Sequence, residues 1–198
     1  MIALVGVVLA LASAVLGLTV RHRPPALDRE LHQAAVDLGP GFVHSAAVVS
    51  FVLSPGLATI ALVSLGLRAF LARDAVVARC AALLAVCWAT VFARHAYQRV
   101  RPIDFPKWSY PSGHVTAVTA VAFTGVVLCA WMARRRLRLA VALACAAVLA
   151  TAASRVVLEM HWFTDTLGAV LAVVGVGLVV ARALGLLPVG VGSRREQS

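Results

Sequence analysis

Three short stretches concentrate the residues of this chain that can do chemistry on an anion. Arg94 stands seven residues before Arg101, which is followed by Pro102. Next comes Pro111-Ser112-Gly113-His114. Last, Ser154-Arg155 is followed after five residues by His161 and after three more by Asp165. All lie in or beside long apolar runs, where an ionisable side chain is costly and usually marks a functional site. Cations, two histidines and a carboxylate four residues from one of them are the parts needed to hold an anion and move protons around it.

The spacing resembles the three-part signature of the type 2 phosphatidic acid phosphatase family, which includes lipid phosphate phosphatases and vanadium haloperoxidases: K-x6-R-P, P-S-G-H and S-R-x5-H-x3-D. The second and third parts match at every defined position, and the first differs by Arg94 in place of Lys. The resemblance implies that His161 is the nucleophile and forms a phosphohistidine, that His114 is the general acid and later the base, and that Asp165 orients His161. It also implies that Arg94, Arg101, Ser112, Gly113 and Arg155 bind the substrate phosphate, with no metal or other cofactor.

Elementary chemistry agrees with those roles. A phosphoryl group in transfer spreads charge over its equatorial oxygens, so fixed cations and oriented N–H groups do most of the stabilising. Ser112 and Gly113 are expected at a helix start, where unpaired amides favour an anion and glycine admits close approach. A four-residue separation puts His161 and Asp165 on one helix face, so the carboxylate can fix the imidazole tautomer and support the cation formed on attack. His161 must start neutral and His114 protonated. Arg94 keeps the charge of the family Lys but replaces a compact ammonium by a planar fork.

The elements that must position these residues are membrane spans. The chain of 198 residues is 62% hydrophobic and only 13% charged, far from soluble usage. About 20 apolar residues make a span, and six candidates fill the sequence: 3–20, 42–67, 78–98, 113–133, 139–158 and 163–187. The expected fold is therefore all-α, a single six-transmembrane helical bundle over residues 1–198 with a short cytoplasmic tail at 188–198. Pro55-Gly56 predicts a kink in the second span. Between the first two spans, Leu27, Leu31, Ala34, Ala35 and Leu38 recur at helical spacing, predicting a short interfacial amphipathic helix. Ala12-Ser13-Ala14 resembles a signal cleavage site, but no basic residue precedes the apolar stretch, so an uncleaved anchor is expected.

With both termini cytoplasmic, ten of the 18 basic residues fall inside, Arg134 to Arg138 among them, and all three polar stretches fall on the outer side. That orientation fits the positive-inside rule. The residue usage suits a bacterial plasma membrane. The net charge of +10 does not form a basic stripe on a polar domain, so no nucleic-acid partner is expected. Cys80, Cys87, Cys129 and Cys145 lack metal or disulfide spacing and read as buried packing residues. Trp108, Tyr110, Trp131 and Trp162 read as interfacial anchors. Arg99, Asp104 and Lys107 read as solvated loop charges in preference to contacts with the phosphate or head group, and His22, His32, His44 and His95 as interfacial or packed. The link of eight residues from Pro102 to Pro111 leaves little chain for a lid or a head-group pocket.

The expected function is hydrolysis of a membrane lipid phosphomonoester or diphosphate, undecaprenyl or another polyprenyl diphosphate first, with phosphatidic acid or phosphatidylglycerol phosphate as alternatives. A haloperoxidase is disfavoured because that group is soluble and larger. A non-catalytic phospholipid-binding or transport protein would not need His114, His161 and Asp165 together.

Overall fold

A computed structural model describes residues 1–187; the tail expected at 188–198 lies outside the described residues. The chain folds as α1 (Ile2–Thr19), α2 (Ala26–Val36), α3 (Pro40–Val52), α4 (Pro55–Ala72), α5 (Ala75–Ala89), α6 (Arg94–Tyr97), α7 (Gly113–Met132), α8 (Leu137–Val157) and α9 (Phe163–Ala183). Among the described residues, six helical segments are long and apolar enough to cross a membrane, counting α3 with α4 and α5 with α6. Their outward faces carry large apolar side chains such as Leu4, Phe51, Phe70, Leu143 and Leu149, as contact with lipid tails requires.

The second span breaks where a kink was expected. Helix α3 ends at Val52, and Pro55 starts α4 at a position where its missing N–H costs nothing. The combined segment is 33 residues; a continuous helix of that length would run to about 50 Å, well beyond the ~30 Å hydrocarbon core. The third span also changes character. After Ala89 the helix tightens to a 3-10 turn over Thr90–Ala93, then resumes as the single turn of α6 and stops at Gln98, whose φ is 51°. Tightening rotates Arg94 relative to the helix below it.

Helix α1 lies along α9 through small residues: a β-carbon on Gly6 would sit 2.8 Å from the Gly175 carbonyl oxygen. Without a hydrophobic driving force in lipid, such close backbone approach is what holds spans together. The Ser13 hydroxyl adds a bond to the Gly168 carbonyl at 2.8 Å. Toward the end of the bundle away from the polar stretches, Cys80, Leu83, Leu84, Val127, Val173 and Leu186 close an apolar core. Cys80 and Cys87 are buried as expected, whereas Cys129 is half-buried and Cys145 is exposed on the outer surface of the bundle.

Candidate active site

The polar stretches meet at one end of the bundle. A cavity of about 400 Å³ is lined by Arg94 from α6, Arg101 and Lys107 from the loop, Gly113 and His114 from α7, Arg155 from α8 and His161. Pro55, at the break between α3 and α4, forms part of the wall. Of the residues singled out by spacing, Ser112 and Asp165 stand behind this surface. Ser112 is buried at the start of α7, with its hydroxyl unpartnered. Asp165 is wholly buried beneath His161.

His161 closes the turn after α8, its amide bonded to the Arg155 carbonyl at 3.3 Å. Nδ1 lies 3.5 Å from Asp165 Oδ2 and 3.4 Å from Ser109 Oγ. On the other side Arg101 Nη1 approaches Nε2 at 3.3 Å. A guanidinium can only donate, so Nε2 carries the lone pair and the proton sits on Nδ1, facing the carboxylate. Burial pushes the His161 pKa down to about 4, against the pull of Asp165, which keeps the ring neutral near pH 7. The ring thus presents an unprotonated nitrogen beside a cavity lined by cations.

Those cations rest on neutral oxygens. Arg101 donates to the carbonyls of Lys107 at 2.7 Å and Met160 at 2.8 Å. Arg94 donates to the Val91 carbonyl at 3.1 Å and Arg155 to Ser50 Oγ at 2.7 Å. Arg155 Nε is buried without a partner. The first amides of α7 have no intrahelical acceptor and add a further anion-favouring edge. Among the described residues, no three His, Cys, Asp or Glu side chains gather as a metal cluster.

Three expectations are overturned. Arg99 is 2% exposed rather than a solvated loop charge. Its Nη1 donates to Asp165 Oδ1 at 2.5 Å and to Thr164 Oγ1 at 2.7 Å, while Nη2 donates to Asp28 Oδ2 at 2.7 Å. A buried guanidinium needs such partners, and two carboxylates supply them. Tyr110 is not an interfacial anchor but is fully buried, its hydroxyl bonded to the Ser13 carbonyl at 2.5 Å. The short loop also walls the cavity after all: it folds back so that Arg101 reaches its carbonyls, and Phe105 lies under the guanidinium at 4.8 Å.

Ser109 and Asp28 went unnoticed in the sequence. Ser109 Oγ donates to Asp165 Oδ2 in a very short bond, and the Trp162 amide donates to the same oxygen at 2.9 Å. Asp28, on α2, accepts from the Thr164 amide at 2.9 Å and its hydroxyl at 2.6 Å. The only sequence signal was an acid on an otherwise apolar stripe, one residue after Leu27. Glu159 sits at φ 56° and approaches His32 of α2 at 3.8 Å.

Cations that have no carboxylate partner among the described residues, around an unprotonated ring nitrogen, suit the handling of a phosphate ester, and their seat in a bundle of spans makes the class a membrane phosphoester hydrolase. The chain belongs to the PAP2 superfamily, whose family model matches residues 1–186. In fold it is similar to the crystal structure of a transmembrane PAP2-type phosphatidylglycerolphosphate phosphatase from Bacillus subtilis, with a TM-score of 0.67 and 18% identity over 91% of this chain and 94% of that one. No curated protein matches it in sequence.

Proposed function

We propose that this protein hydrolyses a lipid phosphate by in-line attack of His161 Nε2 on phosphorus, forming a phosphohistidine that water then cleaves. The observation that carries this reading is the orientation of the His161 ring, with Nδ1 toward Asp165 and Nε2 against Arg101 at the cavity. In the first step the N–P bond forms, the P–O bond to the lipid breaks, and His114 gives its proton to the leaving oxygen. His114 then takes a proton from the attacking water as the N–P bond breaks. Arg94, Arg101, Arg155 and the Gly113 amide hold the equatorial oxygens, with Ser112 at the same helix start.

The break between α3 and α4 beside the cavity gives a lipid tail a lateral way in from the bilayer. A polyprenyl diphosphate such as undecaprenyl diphosphate is the first substrate reading, because Lys107 and His95 flank the arginines and offer contacts for a second phosphate. Phosphatidylglycerol phosphate is the second, favoured by the substrate named for the Bacillus subtilis neighbour. The orientation with both termini cytoplasmic, set by the basic residues, puts the site on the extracytoplasmic face of a bacterial plasma membrane.

The test is phosphate release by detergent-solubilised protein from a panel of prenyl and glycerolipid phosphates in the presence of chelator. His161→Ala is expected to lose at least about 10³-fold in rate, and the wild type to give an acid-labile phosphoenzyme. Full activity in the variant would remove His161 as nucleophile. Activity lost in chelator and restored by a divalent ion would remove the metal-free mechanism.

A further inference from the structure

We propose that Asp28, on the interfacial helix α2, is a positioning residue for the reaction: acting through Arg99, it balances the positive charge that forms on His161 when the ring attacks phosphorus. This rests on the role of His161 proposed above. Asp28 is 1% exposed, Arg99 2% and Asp165 0%. A single guanidinium is shared between the two carboxylates, at 2.7 Å to Asp28 and 2.5 Å to Asp165.

Two carboxylates against one guanidinium leave this buried cluster one negative charge in excess. An uncompensated charge away from water is expensive, and the nearest group able to become a compensating cation is His161, 3.5 Å from Asp165. At rest the ring is neutral. When Nε2 bonds to phosphorus, the P–O bond to the leaving group breaks and that oxygen takes the His114 proton. The ring keeps its Nδ1 proton and becomes cationic. The cluster is therefore balanced in the state that follows attack and unbalanced before it, which favours the transition state over the ground state. Without the Asp28 charge, Arg99 and Asp165 already cancel and the new cation has no counter-charge of its own.

The same carboxylate fixes the backbone on which Asp165 stands, since Asp28 Oδ1 accepts the Thr164 amide at 2.9 Å. Asp28 lies outside all three chemistry-bearing stretches and does not line the cavity. Its effect must therefore reach the substrate through Arg99 and Asp165, and substrate binding should be spared.

The experiment compares kcat, KM and phosphoenzyme formation for the wild type, Asp28→Asn and the double variant Asp28→Asn/Arg99→Gln, in detergent and on one substrate. Asp28→Asn keeps the shape and removes the charge; it should lower kcat at least about tenfold with KM within about twofold. The double variant removes one charge of each sign and restores the single excess negative charge on Asp165. It should recover kcat to within about fivefold of wild type, a reversal that a purely structural clamp would not give. If Asp28→Asn does not fold, the double variant decides alone against the wild type: a kcat within about fivefold supports the proposal and a larger loss overturns it. Unchanged kcat in Asp28→Asn, or a folded double variant at least as impaired as the single one, overturns the proposal. A wild type with no acid-labile phosphoenzyme sinks the underlying role of His161. A labelled wild type with an unimpaired Asp28→Asn sinks only this inference.

Discussion

Gly113 and Arg94 compete for one space at the cavity floor: a β-carbon on Gly113 would lie 2.6 Å from Arg94 Nη2. The absence of a side chain at the first position of α7 is what lets a guanidinium, bulkier than the family's ammonium, settle against the helix start. Gly113→Ala should therefore leave stability within about 1 kcal/mol, because only the far end of a flexible side chain must move. It should also lower kcat/KM by roughly tenfold, by displacing a phosphate contact. Arg94→Lys in the same background should recover part of the loss. Steady-state kinetics on the two single variants and the double variant measure that coupling.

Arg99→Ala should destabilise the fold by about 3–5 kcal/mol, since it strands two buried carboxylates, Asp28 and Asp165. Thermal unfolding in detergent checks this. A change no larger than that of an exposed arginine, such as Arg23→Ala, would contradict the buried network.

The His161 pKa of about 4 has a definite sign in the pH dependence. The folded value lies below the unfolded value of about 6.5, so the unfolded chain takes up the proton first as pH falls. The associated stability is fully present above about 6.5, declines as pH falls, and is lost once pH passes through about 4. The nucleophile stays available down to the same pH. NMR titration of labelled His161 in micelles should give a midpoint well below 6; a midpoint near 6.5 would contradict the burial and tautomer described.

Gly168 has no room for a side chain against the Tyr110 ring. That ring is buried against α9 and its hydroxyl is tied to Ser13 of α1. Gly168→Ala should cost about 1–3 kcal/mol by overpacking, with Tyr110→Phe milder because the ring still fits. Melting temperatures of the two variants give the order.

The all-helical class, the six spans and the gathering of Arg94, Arg101, Gly113, His114, Arg155 and His161 were legible because they rest on apolar length and on fixed local spacing. What surrounds Asp165 was not. Asp28 and Arg99 are 71 positions apart, and apart from the place of Asp28 on an otherwise apolar stripe nothing along the chain distinguishes either from a solvated charge until α2 docks on the start of α9. Tyr110 has the composition of an interfacial anchor and is drawn inside by a hydroxyl partner on α1. The apolar run at 42–67 gave no measure of how far Pro55 would separate α3 from α4, because the break depends on what packs beside it.

The lean of Arg94, Arg101 and Arg155 on carbonyls and a hydroxyl has a consequence for turnover. Once the tail has gone, the charge that drew the head group is still undiminished, and inorganic phosphate fits the same contacts. Under the mechanism proposed, departure of the product is then a slow event, and the enzyme is throttled by the phosphate around it, working fastest where that phosphate is swept away.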